Sequence, residues 1–228
     1  MKKNNFNQKI GSPVNNWKPS IYPTQEKMNG QYCDVVPFNI NNHAKELFNA
    51  FSIHQNESNW TYLADGPFNS FQEYSSWLKS FCLGKDPLFY TVIDSKNSEA
   101  IGLASYLRIE PTVGVIEVGN IHFSPRLQNT AMGTEAMYLM MKKVFEEWGY
   151  RRYEWKCDNY NEPSKKAAIR LGFTFEGVFR QATIYKNRNR DSAWFSVIDQ
   201  EWPNLKKKYE EWLLPSNFDN QGKQINKL

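Results

Sequence analysis

The chain has 228 residues, of which 40% are hydrophobic and 23% charged, and a formal net charge of +4. Its 15 Phe, 12 Tyr and 8 Trp run from end to end, which excludes a wholly disordered chain because this much apolar surface can offset chain entropy. The charge is too small to require a nucleic-acid partner. No apolar run reaches the roughly 20 residues that cross a bilayer, so we predict no membrane partner either.

Cysteine and histidine are few and scattered, with no CxxC or HExxH spacing. These residues are Cys33, Cys82, Cys157, His43, His54 and His122. An odd, widely spaced cysteine set argues against a disulfide framework and predicts a reducing, cytoplasmic location. The opening MKKNNFNQK has no apolar segment of the secretory kind. Zinc sites favour Cys and His ligands, so we predict no metal.

Three regions differ in composition. Residues 1–29 are rich in Asn, Lys and Pro without a period, and we expect an extended or disordered N-terminal arm, attached to the body by Trp17. Residues 30–214 carry the periodic segments and form the predicted folded domain. Residues 215–228 are a predicted polar C-terminal tail that follows Pro215.

The first half of the domain begins with a strand and two helices. We predict the strand at 31–38 and the helices at 43–58 and 70–83, joined by the aromatic-rich connection 60–68. In the second helix, apolar residues recur at gaps of three, four and three, which gives one apolar face. They are Phe71, Tyr74, Leu78 and Phe81. Three strands follow, at 88–94, 100–108 and 114–123.

The second half contains the strongest helical pattern, 131–148, which Gly149 ends. A strand is predicted at 151–158, a helix at 161–171 with Gly172 as its stop, a hairpin of 173–185 and 192–199, and an amphipathic helix around 206–212. This order predicts an α+β (mixed α/β) fold. Its sheet is mostly antiparallel with one parallel pair, 114–123 beside 151–158, joined by a right-handed crossover.

The junction between strand 114–123 and helix 131–148 is the first candidate site. A helix N-terminus carries unpaired N–H groups and about half a positive charge, which suits a phosphate or pyrophosphate. Small residues at 131 and 133 would allow an anion close to the backbone. The alternative is a tight turn in which Gly133 serves packing alone.

The second candidate segment is 161–173. Pro163 fits a first helical turn, and Ser164, Ala168 and Leu171 share one face at gaps of four and three. That face is apolar and should lie against the sheet, which points Ser164 inward beside the end of the parallel pair. The alternative is a serine that bonds backbone N–H groups of its own turn.

The two segments together resemble the GNAT superfamily of acyl-CoA-dependent N-acetyltransferases, most of all its branch of ribosomal-protein N-terminal acetyltransferases. The residues that match the family's loop are Gln128, Ala131, Gly133 and Thr134-Glu135-Ala136. Those that match its later blocks are Asn161, Ser164, Leu171-Gly172-Phe173, Glu176-Gly177, Asn189-Arg190-Asp191 and Trp194-Phe195. The resemblance covers about residues 30–203. One departure is Ala131, where the family has glycine.

The resemblance implies a GNAT-like sheet with helices on both faces and with its parallel pair splayed, so that acetyl-CoA, a co-substrate, binds in the gap. The backbone of 121–123 would pair with pantetheine, and the N–H groups of 128–134 would hold the pyrophosphate. Asn161 would bond pantetheine, and Ser164 would protonate the departing thiolate. The implied binding residues are Ile121, His122, Phe123, Gln128, Asn129, Thr130, Ala131, Met132, Gly133, Thr134, Asn161 and Ser164.

The implied reaction is direct attack of an amine on the thioester, which is helped by a base. Glu117, on the strand 114–123, is our candidate, with Glu154 and Glu176 as alternatives; Glu117 could instead pair with an arginine of a neighbouring strand or face solvent. The connection 60–68 corresponds to the region that, in this family, lies over the binding site of the acceptor amine. It could line that site with aromatic walls or serve core packing alone. Its candidate acceptor residues are Trp60, Tyr62 and Phe68.

The sequence therefore predicts an enzyme that moves an acetyl group from acetyl-CoA to a primary amine, either a protein N-terminus or a small amine, and acts as a monomer or homodimer. The alternative, motivated by Ala131, is a CoA-binding relative with little or no turnover that has a regulatory or binding role. A nucleic-acid-binding module is a third hypothesis, and it depends on the basic pI alone.

Overall fold

A computed structural model describes residues 2–52 and 57–228 of the chain. The strands are β1 (Lys2–Lys3), β2 (Lys9–Ile10), β3 (Met28–Asn29), β4 (Cys33–Pro37), β5 (Leu88–Asp94), β6 (Ala100–Glu110), β7 (Val115–Phe123), β8 (Arg152–Asp158), β9 (Thr174–Tyr185) and β10 (Arg188–Ile198). The helices are α1 (Ile40–Ser52), α2 (Phe71–Phe81), α3 (Ala131–Lys142), α4 (Glu162–Arg170) and α5 (Trp202–Trp212). The elements predicted for residues 31–212 are present in the predicted order, and the end of the first helix, predicted at 58, falls partly on residues outside the described ones.

The central sheet has the strand order β3-β4-β5-β6-β7-β8-β10-β9. Of its pairs, β7–β8 is parallel and the others are antiparallel. The predicted mixed, mostly antiparallel sheet with one parallel pair is confirmed. A parallel pair needs a crossover, and α3 supplies it between β7 and β8.

Helices cover both faces of the sheet, as predicted. On one face, α1 and α2 bury Leu47, Tyr74 and Leu78 against Phe89 and Leu103. On the other face, the larger cluster joins α3, α4 and α5 to the sheet. Its buried residues include Met137, Ala168, Tyr209, Ile116, Tyr153 and Phe195. Burial of apolar area on two faces, at about 25 cal/mol per Å², is the main term that holds these layers together.

The local signals at α2 explain its sharp start. Ser70 Oγ accepts a hydrogen bond from the N–H of Glu73, and the Glu73 carboxylate accepts one from the N–H of Asn69. This reciprocal pattern satisfies backbone donors that have no partner within the helix.

The helix predicted over 131–148 is α-helical to Lys142 and then becomes a π-helical turn, Lys143–Glu147. The N–H of Trp148 donates to the carbonyl of Lys143, one residue further back than in an α-helix. Hydrophobic spacing cannot detect this change, because Val144 and Trp148 are buried in either geometry.

A buried carboxylate attaches the start of the domain to α3. Glu135 is 4% exposed, and its two oxygens accept hydrogen bonds from the N–H groups of Gln31, Tyr32 and Cys33 at 2.7, 2.7 and 2.8 Å. Charge-assisted hydrogen bonds of this kind are the strong ones. The turn before β4 is therefore fixed to the first turns of α3.

Residues 17–27 of the N-terminal arm form neither a helix nor a strand, and this part of the arm packs on the body. Trp17 Nε1 donates to the carbonyl of Thr112 at 2.8 Å, and the side chain of Arg151 lies over its ring. Further along, β3 pairs with β4 and forms an edge of the sheet. In the C-terminal tail, Asn217 is buried. Whether 30–214 folds alone stays a prediction.

None of the helices in the described ranges is long and apolar enough to cross a membrane.

Candidate functional site

The parallel strands β7 and β8 part at their carboxyl ends. Their pairing runs from Val115 and Arg152 to Val118 and Trp155, yet β7 continues to 123 and β8 to 158. The backbone of 119–123 therefore has no strand partner on the side of β8, where a gap opens. Ligands of open α/β sheets bind in such crevices.

A β-bulge in β7 bends it at the start of the gap. Gly119 pairs with Ser105 and His122 with Leu103, so β7 has one residue more than β6 between these pairs. Asn120 has a φ of 48°, and its amide donates to Ser105 Oγ at 2.9 Å. Bulges bend a strand and increase its twist, which accounts for the divergence from β8.

The loop at the mouth of the gap ends in the N-terminus of α3. Thr130 is the N-cap, and its hydroxyl accepts a hydrogen bond from the N–H of Gly133. Among residues 2–52 and 57–228, the N–H groups of four successive positions find no acceptor. These are Asn129, Thr130, Ala131 and Met132. Unpaired donors next to a helix N-terminus suit an anion.

The free N–H groups span fewer residues than the segment 128–134 that was expected to hold the pyrophosphate. The N–H of Gln128 donates to the Ser124 carbonyl, and that of Thr134 to the Thr130 carbonyl. Gly133 serves the turn, because a Cβ there would lie 2.7 Å from the carbonyl oxygen of Leu127. The packing alternative for Gly133 thus has a geometric basis, and the free donors lie just before it.

The Gln128 side chain connects this loop to the end of β7 and to the turn at Glu57–Trp60. Its amide nitrogen donates to the Phe123 carbonyl at 2.7 Å and to Asn59 Oδ1 at 3.3 Å. On the side of β6, Phe123 and His122 pair with Gly102 and Leu103. Ile121, His122 and Phe123 thus keep their other edge, towards β8, unpaired.

Helix α4 begins beside β8. Asn161 is its N-cap and accepts from the N–H of Ser164 at 3.1 Å. Ser164 Oγ accepts from Trp155 Nε1 at 3.0 Å, instead of bonding the backbone. A hydroxyl that accepts one bond still has its own proton to donate. The side chain of Ser164 therefore lies on β8 where the gap opens.

Glu117 lies on the face of the sheet opposite to that of its neighbours Ile116 and Val118, which pack towards α3. Its side chain is 7% exposed. Its Oε2 is 2.7 Å from Lys156 Nζ and 3.4 Å from Arg108 Nε. Burial raises the pKa of Glu117, and the nearby Glu154 adds to this, while Lys156 and Arg108 oppose it without cancelling it. The ion-pair alternative is present in the structure, with a lysine as the nearer partner.

The other two candidate carboxylates have lowered pKa values. For Glu154, burial raises the pKa, but hydrogen bonds from Lys156 and Arg152 outweigh it. For Glu176, the hydrogen bond from Arg152 is the main cause. A general base works best with a pKa near the operating pH. Glu117 is therefore the best suited of the three.

The connection 60–68 forms part of an aromatic cluster above β6 and β7. Trp60 and Phe68 pack edge to face at 5.2 Å, Trp77 of α2 stacks on His122, and Tyr62 is half-buried. Lys186, in the β9–β10 turn, donates to the Trp60 carbonyl at 2.7 Å. Trp60 thus has both packing contacts and a contact with the opposite hairpin.

The sequence analysis did not identify Lys156 as the partner of Glu117, nor the place of the His122 ring in the aromatic cluster. In β8, polar residues alternate with buried Tyr153, Trp155 and Cys157; that period of two places Arg152, Glu154 and Lys156 together on the face of Glu117. No such signal reveals the partners of His122, which come from separate elements.

Within the described residues, no three His, Cys, Asp or Glu are placed to hold a metal.

The folded chain thus combines an open sheet, a diverging parallel pair and a helix N-terminus with free donors at the mouth of the gap. Residues 35–174 match the family model of the acetyltransferase (GNAT) domain. The chain therefore belongs to the GNAT family of acetyltransferases, and the resemblance inferred from the motifs is confirmed. Members of this family use acetyl-CoA.

Solved structures agree with this assignment. A GCN5-related N-acetyltransferase from Brucella melitensis is 44% identical, with a TM-score of 0.92 over 94% of this chain and 97% of that chain. A probable acetyltransferase from Chromobacterium violaceum is 35% identical, with a TM-score of 0.80 over 86% and 98%.

A curated relative is the ribosomal-protein-serine acetyltransferase of Escherichia coli K12. It is 28% identical over 107 residues, which is 46% of this chain. The match spans 59% of the length of that relative.

Proposed function

We propose that this protein transfers an acetyl group from acetyl-CoA to a primary amine, a protein N-terminus or a small amine, in the cytoplasm. The observation that carries the proposal is the gap between β7 and β8 beyond Val118 and Trp155. The free N–H groups of 129–132 lie at its mouth, and Glu117 lies on β7 one residue before the pairing ends. The named relatives support the same chemistry.

The donor would bind by backbone contacts. The N–H groups of 129–132 and the dipole of α3 stabilise the diphosphate. The free edge of 121–123 hydrogen-bonds pantetheine as an added strand would. Asn161 Oδ1 is already used by the N–H of Ser164, so the Asn161 contact to pantetheine comes from its amide nitrogen.

The chemical step requires a neutral amine. An alkyl ammonium with a pKa near 10 costs about 4 kcal/mol to deprotonate at pH 7, and a terminal α-amine about 1 kcal/mol. Glu117 accepts that proton, directly or through a water molecule. The amine nitrogen then bonds to the carbonyl carbon, and the carbon–sulfur bond breaks as the intermediate collapses. The Ser164 hydroxyl protonates the departing thiolate and regains a proton from the nitrogen, so the second amine proton ends on the sulfur of CoA.

An assay of CoA release tests the proposal. The purified chain is mixed with acetyl-CoA and a panel of amines that includes peptide N-termini, lysine side chains and small amines. We expect thiol release that depends on the amine, with the acetylated product identified by mass spectrometry. Tight acetyl-CoA binding without release for any amine would instead favour the non-catalytic alternative motivated by Ala131.

A further inference from the structure

Lys156 has an unusual position for a lysine, since its side chain is 9% exposed and lysines are seldom buried unless paired. Its Nζ is 2.7 Å from Glu117 Oε2 and 2.8 Å from Glu154 Oε2. The same nitrogen lies 3.6 Å from the centre of the Trp194 ring. An ammonium held by two carboxylates and an aromatic face is fixed in place.

The strand register explains why these groups meet where the gap begins. Glu117 and Glu154 are direct partners in the parallel pair, and Lys156 is the partner of Trp194 in the neighbouring antiparallel pair. The last paired position of β8 is Trp155, so Lys156 is the first residue of β8 beyond the parallel pairing. It is therefore next to both the reacting gap and the candidate base.

We propose that Lys156 is a positioning residue for acetyl transfer, whose ammonium orients the carboxylate of Glu117 and keeps it ionised before the amine arrives. This inference rests on the proposed function. Lys156 does not itself exchange a proton with the substrate; it acts through Glu117. Trp194 and Glu154 are the other two groups that contact the ammonium and hold it in place.

The charges around Glu117 define the direction in which its pKa should move when Lys156 is replaced. From β8 come Lys156 and Glu154, and from β6 comes Arg108, which is half exposed. Lys156 lowers the pKa of Glu117 and Glu154 raises it. Without Lys156, two buried carboxylates would lie side by side with only Arg108 near Glu117. A missing opposite charge at this range moves a carboxyl pKa by about 1–3 units.

The test is the pH profile of kcat/KM for three variants. In Lys156→Gln, the limb on which activity rises with pH should move upward by about one pH unit or more. In Glu154→Gln, which serves as a control of opposite sign, the same limb should move downward, because the variant removes a like charge that raises the pKa of Glu117. Lys156→Arg keeps the charge and should leave the limb near its wild-type position.

A double-variant cycle separates this role from a general loss of structure. In a Glu117→Gln background, Lys156→Gln should cause little further loss of kcat, because its effect passes through Glu117. Urea midpoints and acetyl-CoA affinity check that the variants fold. If Lys156→Gln fails to fold, Lys156→Met, which has a side chain of similar length without the charge, replaces it in the pH profile and in the double-variant cycle.

Failure of the proposed function and failure of the inference about Lys156 would give different results. If the wild-type chain acetylates no amine, the proposed function fails and the inference fails with it. If the wild-type chain is active but the limb stays in place in Lys156→Gln, or the two losses add fully in the double variant, only the inference is overturned.

Discussion

His122 shows how one strand residue can belong to two environments. Its backbone lies at the gap, whereas its ring contacts Phe51, Trp60 and Trp77 at 5.6, 4.3 and 5.7 Å between ring centres. Burial, with a smaller effect from Lys186, lowers its pKa from 6.5 to about 3. The imidazole is therefore neutral wherever the protein is folded near neutral pH.

The neutral His122 should make the protein sensitive to acid. Between pH 6.5 and 3 the unfolded chain binds a proton at His122 that the folded chain does not, so stability falls as pH falls. Between pH 7 and pH 5 this costs about 2 kcal/mol. In His122→Phe the loss of unfolding free energy over this interval should be smaller by that amount, as measured by urea denaturation. Equal losses in both proteins would show that His122 is protonated when folded.

Ser164 should affect catalysis more than donor binding. Ser164→Ala should lower kcat by about 100-fold, because its proton transfer stabilises a thiolate that exists only late in the reaction. The affinity for acetyl-CoA, measured by calorimetry, should change little. Trp155 Nε1 loses its acceptor in this variant, which reduces stability by about 1–3 kcal/mol.

Ser164→Thr serves as the control, because it keeps the hydroxyl and should recover most of kcat. Equal losses of affinity and kcat in Ser164→Ala, or none in either, would remove the residue from the mechanism.

For single residues, the sequence predicted which way a side chain points better than which residue it contacts. The helical spacing places Ser164 toward the sheet, and its hydroxyl does contact a strand residue there. The spacing could not reveal that the contact would be the indole of Trp155. In the same way, the alternation of β7 places Glu117 opposite Ile116 and Val118, but its partner Lys156 depends on the register with β8. Register is a property of the folded sheet.

At the scale of elements, periodicity predicted nearly everything that has several turns or a long alternation. The exceptions are local. The two-residue strand β3 carries too little pattern to detect. The bulge at Asn120 lengthens one interval in the alternation of β7, since Ile116 and Val118 lie in the larger cluster before it and Ile121 and Phe123 pack against that cluster after it. The bulge opens the gap. The feature that matters most for the site is therefore recorded in the sequence only as one three-residue interval between Val118 and Ile121, and a single irregular interval does not by itself predict a bulge.

The N-terminus of α3 allows one donor to be removed cleanly. Ala131 follows the N-cap Thr130 and is the first helical position, where proline is well tolerated. Ala131→Pro deletes one free N–H while the helix keeps its start. A hydrogen bond to a charged group contributes about 1.5–3 kcal/mol, so acetyl-CoA affinity should fall by about 10- to 100-fold.

Ala131→Val is the matched control for Ala131→Pro. It adds bulk at the same site but keeps the N–H, and calorimetry with acetyl-CoA compares the two. If the valine variant loses as much affinity as the proline variant, crowding and not the missing donor is responsible. If neither loses affinity, the diphosphate binds elsewhere.

At the scale of the whole molecule, the arm joins parts that lie far apart in sequence. Ser20 and Ile21 donate backbone hydrogen bonds to the carbonyls of Pro111 and Trp148, at the end of the sheet remote from the gap. The composition of residues 1–29 favoured an extended or disordered segment. Single residues such as Trp17 carry the attachment, and their targets are set by the completed fold.

Two truncations separate the free part of the arm from the attached part. Removal of residues 1–16 should change the unfolding free energy by less than about 0.5 kcal/mol, because β1 and β2 are exposed and pair with each other. Removal of residues 1–29 should cost about 3 kcal/mol or more. Tyr90 would lose its acceptor, the carbonyl of Thr24, and the buried Lys143 would lose Glu26. Urea unfolding of both variants gives the comparison, and equal stability would show that the domain begins at residue 30 without help from the arm.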